Sequence, residues 1–165
     1  GGWNNTINFG NFNVNFLIDA RYGGVVYSQD SKDYDNFGVS ERSLLYRESG
    51  VTLDGVTSAG AANTASMTGE EYWTSWSAIA ENNIYKQDNI RLREFSVGYN
   101  VPNASSLGLE SMYVQLVGRN LFFFDKAADD IDPEAMLGNN IRGQGIASGN
   151  LPTARSLGLN LTLKF

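Results

Sequence analysis

The sequence predicts an all-β fold, a segment of antiparallel sheet of the kind that walls a transmembrane barrel. Three observations carry that prediction. Several stretches alternate apolar and polar residues with a period of two, the polar parity being mostly Asn, Ser, Thr, Gln and Gly, as a water-filled lumen requires. Aromatic residues sit near the strand ends at Phe12, Tyr22, Phe122 and Phe165, where rings settle at headgroup level. Short connections near residues 10 and 102–111 contrast with very long ones, which gives turns at one end of the array and large loops at the other.

The elements follow in order. A weakly alternating strand near 3–9 precedes Gly10-Asn11, where a tight hairpin turn is expected. The strand over 12–22 then sets Phe12, Val14, Phe16, Ile18, Ala20 and Tyr22 against Asn13, Asn15, Leu17, Asp19 and Arg21. Periodicity is lost over the long loop 23–88. "SERSLLYRES" has helical character there, and Thr68 followed by Glu71 forms a capping box for a short helix carrying Tyr72, Trp73 and Trp76. So long a connection is expected to fold on its own account.

Alternation returns over 89–101, with Phe95, Val97, Tyr99 and Val101 on one parity, and Pro102 stops it by lacking an amide donor. The strand over 111–123 places Met112, Val114 and Leu116 opposite Tyr113, Gln115 and Arg119. A second long loop, 124–152, leads to the last strand, 153–165. There Leu157, Leu159, Leu161, Leu163 and Phe165 share one face and Asn160 lies on the other.

Composition removes whole classes of chemistry. The chain of 165 residues has neither cysteine nor histidine, so thiolate or imidazole metal sites, disulfides and Ser-His-Asp catalysis cannot be built from it. No enzymatic role and no cofactor are expected. A formal charge of -6 argues against nucleic acid as a partner. No apolar run approaches the roughly 20 residues of a membrane helix, but a membrane strand needs only about 9–11 of alternating character. The opening "GGWNNTINFG" lacks the charged head and apolar core of a secretory signal.

About five strands cannot close a barrel, whose small bacterial examples have about eight. The chain is therefore expected to be the C-terminal part of a larger one. "NFNVNFLIDARYGG", "DNIRLREFSVGYNVP", "VQLVGRNLFFFDKAADDIDPE" and "RSLGLNLTLKF" resemble, in order, the C-terminal region of SusC/RagA-type TonB-dependent outer-membrane transporters of Bacteroidetes. That resemblance implies a 22-stranded barrel of which this chain supplies about the last five strands and two extracellular loops; the plug and N-terminal domains lie outside it. It also implies nutrient import, typically of oligosaccharides or peptides, with a SusD-like lipoprotein covering the outside and the TonB complex acting through the N-terminal part. The alternative is a soluble β-sandwich binding module whose apolar faces close on one another and whose two long loops bind.

Several residues stand out as site candidates. Leu157, Leu159, Leu161, Leu163 and Phe165 resemble the terminal signal read by the outer-membrane assembly machinery, besides facing the lipid bilayer. Asp19, Glu94, Arg119 and Asn160 are expected to face the lumen, Glu94 pairing with Arg119 or Asp19. Arg91 and Arg93 share the parity of Phe95 and are expected at the outer rim, beyond the lipid band. Tyr72, Trp73 and Trp76 form either a partner- or substrate-stacking surface or, the favoured reading, a loop core packed on itself. Asp129, Asp130, Asp132 and Glu134 offer oxygen ligands for Ca²⁺, but Asp132 before Pro133 reads better as a helix N-cap.

Overall fold

A computed structural model describes residues 1–128, 131–138 and 143–165. In chain order the strands and helices are β1 (Gly2–Phe9), β2 (Phe12–Arg21), β3 (Val25–Ser28), α1 (Gln29–Asn36), β4 (Val51–Thr52), β5 (Ser66–Met67), α2 (Gly69–Ala78), β6 (Ile84–Lys86), β7 (Asn89–Asn100), β8 (Ser111–Lys126), β9 (Ile146–Ala147) and β10 (Ser156–Lys164). They form two compact units. The wall unit comprises 1–24, 87–127 and 152–165, and the loop unit 25–86 and 128–151.

The wall unit is a five-stranded sheet in the order β1-β2-β7-β8-β10, antiparallel throughout. β1 and β2 are joined at Gly10, whose φ of 56° suits the left-handed backbone of a two-residue hairpin. Asn103 (φ 58°) and Gly108 (φ 75°) bracket the turn of 3-10 helix, Ala104–Leu107, that links β7 to β8.

Register sorts the side chains. The pairs Ile7↔Val14, Val14↔Val97, Val97↔Leu116 and Leu116↔Leu159 carry one apolar face across all five strands. That face stays open, with Ile7 52%, Leu116 64% and Leu159 65% exposed. The closed core of a β-sandwich is therefore not formed over this sheet. On the opposite, polar face, the Tyr113 ring lies across Gly98, where an added Cβ would come within 1.9 Å of its hydroxyl. Only glycine leaves room for that ring, so a position that weakens the strand by propensity becomes a packing site.

Two expectations about the wall change. Leu17 pairs with Glu94 but Ile18 pairs with Leu92, so Arg93 is the extra residue of a β-bulge. A one-residue insertion exchanges the two faces beyond it. Arg91 therefore sits opposite Asp19 on the polar side, buried to 2% exposure, not on the parity of Phe95. The last strand also begins at Ser156 and not at 153, because its ladder starts at Ser156↔Arg119 and the next β8 residue, Asn120, is left-handed (φ 52°). β8 itself runs past 123 to Lys126.

The loop unit has its own small sheet, β6-β3-β9, in which β3 pairs antiparallel with β6 and parallel with β9. The parallel pair joins the two long segments, and a core of Val26, Ala128, Ile131 and Ala147, flanked by Tyr85 and Met136, draws on both. α1 is capped by the Ser28 hydroxyl, which accepts from the Ser31 amide at 3.0 Å. α2 has the reciprocal box between Thr68 and Glu71. At its first residue a Cβ on Gly69 would approach the Tyr46 carbonyl oxygen to 2.7 Å. "SERSLLYRES" gives only the 3-10 turn Arg42–Leu44, and the chain reverses at Tyr46 with φ 66°.

Candidate functional site

The polar face of the wall brings charge together. Arg93 Nη2 donates to Asp19 Oδ2 at 2.6 Å, and Arg119 Nε donates to Glu94 Oε2 at 3.0 Å. Of the two partners the sequence offered Glu94, the structure uses Arg119, while the bulge hands Asp19 to Arg93. Arg91 donates to Thr153 Oγ1 at 2.9 Å and lies 4.6 Å from the centroid of the Phe123 ring. Neutral groups continue the network toward the far edge, through Gln115 to Ser96 Oγ at 3.1 Å and Asn160 to Gln115 Oε1 at 3.3 Å. Paired charges and amides of this sort stiffen a wall and present a polar surface, but they form no acid–base or nucleophile pair.

The loop unit supplies the other candidates. Asp35 is fully buried and accepts from Ser40 Oγ at 2.7 Å and from Arg42 Nε at 2.8 Å, with a second bond from Arg42 Nη2. Arg42 also donates to the Tyr85 hydroxyl at 2.7 Å. Burial acts to lower the Arg42 pKa, but the bonds to Asp35 and Tyr85 outweigh it and raise the value, so the guanidinium stays charged. Sequence reasoning missed this cluster, since nothing in "SKDYDNFGVSER" marks Asp35 as a residue that folding buries.

Tyr72, Trp73 and Trp76 lie together with Tyr46. Tyr72 stands edge-on to Tyr46 and to Trp73, with centroids 5.1 Å apart in each pair, and stacks on Trp76 at 5.8 Å. Trp73 is only 6% exposed and its indole donates to the Leu45 carbonyl at 2.9 Å. Desolvation, with Tyr46 nearby, raises the Tyr72 pKa. These rings spend their faces mainly on one another. A cavity of about 510 Å³ opens beside them, bordered among others by Asn36, Phe37, Arg47, Glu70 and Trp73, a size within the roughly 300–1,000 Å³ of small-molecule sites.

The remaining candidates separate. Asp129 and Asp130 lie outside the described residues. Asp132 Oδ1 accepts from the Glu134 amide at 2.9 Å, but the segment is a turn and not a helix start. Among the described residues no group of three or more acidic side chains could hold a metal ion. Leu157, Leu159, Leu161 and Leu163 line the apolar face of β10, an edge strand, and Phe165 is 87% exposed.

No protein-family model matches the chain. A curated relative, TonB-dependent receptor P3 of Formosa agariphila, is 27% identical over 176 residues, covering 99% of this chain and 16% of that protein. Among solved structures, the RagAB peptide transporter superposes with a TM-score of 0.57 at 15% identity, over 94% of this chain and 16% of the transporter chain. The chain thus spans about a sixth of the length of the proteins it matches. With these likenesses the resemblance to TonB-dependent transporters read from the sequence is borne out, as are the antiparallel barrel-wall fold class and the outer-membrane location.

Proposed function

We propose that the chain is a length of barrel wall, with two outward loops, in a SusC/RagA-like transporter that imports nutrients such as oligosaccharides or peptides across the outer membrane. The observation that carries this reading is the single sheet with a continuous exposed apolar face, a hydrogen-bonded polar face and an open edge at β1 and at β10. Exposed apolar strands cost free energy in water at about 25 cal/mol per Å², and lipid removes that cost. Open edges cannot be left in hydrocarbon, so both are filled by further strands of the same barrel.

On this reading Asp19, Glu94, Arg119 and Asn160 face the lumen, and Leu157, Leu159, Leu161, Leu163 and Phe165 face lipid and serve the assembly machinery. A SusD-like lipoprotein covers the outside, and the TonB complex acts through the rest of the receptor. The work is transport without catalysis, in keeping with a relative named as a receptor.

The test is the intact mass and composition of the polypeptide carrying these residues, purified from outer-membrane fractions. A large detergent-soluble species with a co-purifying lipoprotein is expected. A monodisperse, detergent-free protein near 18.1 kDa would overturn the reading.

A further inference from the structure

The wall is irregular at one level, and the irregularity passes from strand to strand. Arg93 is the extra residue of β7 against β2, and between Leu92↔Phe122 and Glu94↔Arg119 it faces both Asn120 and Leu121 of β8. Asn120 takes a left-handed backbone (φ 52°), a conformation disfavoured for L residues and kept only where the surrounding structure over-determines it. β10 stops at the same level. Its ladder with β8 ends at Ser156↔Arg119, whereas β8 runs on to Lys126 with β7 as its one strand neighbour there among the described residues.

These distortions bring side chains to residues 152–155, which precede β10 and belong to no strand. The Arg93 guanidinium, anchored on Asp19, also donates to Asn120 Oδ1 at 3.4 Å, and Asn120 Nδ2 donates in turn to the Ala154 carbonyl at 3.3 Å. Arg91 lies over the ring of its β8 neighbour Phe123 and donates to Thr153 Oγ1 at 2.9 Å. Side chains from β2, β7 and β8 thus converge, on the polar face, upon a segment that no ladder holds. Without the bulge Arg93 would fall on the apolar parity of Phe95, and the run of bonds from Asp19 to Ala154 would be lost. A segment held by a few side-chain bonds opens locally at lower cost than a laddered strand. We infer that residues 152–155 are a strap latched to the polar face of the wall, with Arg91 and Asn120 as the positioning residues that hold it. Resting on the function proposed above, that face is the lumen and the outer part of β8, with its open backbone edge, stands clear of hydrocarbon; the latched strap lines the mouth of the passage and its release alters the bore there.

The experiment uses the whole receptor with nitroxide spin labels at Ser111→Cys, where β8 begins, and at Arg155→Cys in the strap. At about 3.3 Å per residue, Ser111 lies roughly 26 Å along β8 from Arg119, a span that dipolar spectroscopy reads. One narrow distance is expected for the latched strap. Arg91→Gln combined with Asn120→Gly removes both bonds while glycine accepts the left-handed backbone, and is expected to turn that peak into a broad distribution, with the folded band on semi-native gels retained. A distribution already broad in the wild type would overturn the latch. So would one that stays narrow in the variant, and a lowered melting temperature beside it would show that these side chains only stiffen the wall. A separate label at Val97→Cys tests the reading on which the lumenal placement rests. Relaxation by oxygen, which concentrates in lipid, is expected there; relaxation by a water-soluble nickel chelate would sink the transporter reading and the lumenal strap together, while the distances still decide the latch.

Discussion

The wall and the loop unit solve opposite solvent problems with one chain. In the wall, large apolar residues point out and stay exposed, and polar groups meet one another across the sheet, as at Asp19–Arg93 and Glu94–Arg119. In the loop unit the buried set, among the described residues, is small and largely polar. Ser28, Ser31, Asp35, Ser43, Ser77 and Asn83 are buried beside an apolar core of only a few residues. The wall is held by a backbone ladder that crosses all five strands and is interrupted where β7 bulges, and it needs no apolar core; among the described residues the loop unit is held by specific hydrogen bonds and by the ion pair of Arg42 with the buried Asp35. The wall should therefore tolerate exchange among apolar residues and reject charge. The loop unit should do the reverse, being sensitive wherever a buried polar partner is removed.

Substitutions can break that contrast. The largest effect is expected from Asp35→Ala, which strips Ser40 and Arg42 of their shared carboxylate and should cost about 3 kcal/mol, the low end for breaking a buried pair because Arg42 keeps some solvent and its bond to Tyr85. Limited proteolysis of the full receptor would show cleavage within 25–86 while the barrel still assembles. A receptor with unchanged protease resistance would mean that the ion pair does not hold the loop unit together. Next comes Val97→Asp, on the apolar face at mid-strand, where a charge costs up to about 4 kcal/mol at the membrane midplane, somewhat less for a carboxylate. It should abolish the folded band on semi-native gels, as should Leu161→Asp; full assembly of both would remove the lipid-facing assignment.

Smaller effects sharpen the comparison. Gly98→Ala forces the Tyr113 ring aside and should cost about 1–3 kcal/mol in barrel stability, read as a lower melting temperature. Pairing it with Tyr113→Ala should recover part of that loss, which a glycine conserving only backbone freedom would not allow. Thr68→Ala removes the N-cap of α2 and should destabilise the loop unit by about 1 kcal/mol, visible as faster amide exchange in α2.

The capping box also carries the mildest signature, a pH dependence. Hydrogen bonds from the Thr68 backbone and then its hydroxyl hold the Glu71 carboxyl below its ordinary value of 4.5. Its folded pKa being depressed, the stabilisation is present above the unfolded value and is lost as pH falls through the folded one. The protection of α2 amides, taken relative to their intrinsic exchange rates at each pH, should therefore fall in acid below about pH 4.5, and Glu71→Gln should flatten that fall.

Much was legible in the residue order. Period-two alternation located every wall strand, because successive side chains of a strand point to opposite faces whatever the strand pairs with. Likewise Thr68 and Glu71 announced the start of α2, and Gly10 the first turn, since caps and tight turns are satisfied within a few residues. Trp73 and Trp76 were readable as packed partners from helical spacing alone.

Other features were decided only when distant segments met. The bulge at Arg93 belongs to a ladder with β2 and β8, and without those partners nothing in "RLRE" says that both arginines reach the polar face. The parallel pairing of β3 with β9 joins residues 27 and 146, a contact that leaves no local trace in either stretch. Asp35 could be buried only once Arg42, itself bonded to the distant Tyr85, was brought to it. Sequence alone determined what each regular stretch of strand shows to its surroundings, up to the bulge at Arg93, because that is a property of neighbouring residues. Tertiary structure decided which charges pair and which segments share a core, because those depend on closing long loops whose entropy cost is repaid only by contacts between residues far apart in the chain.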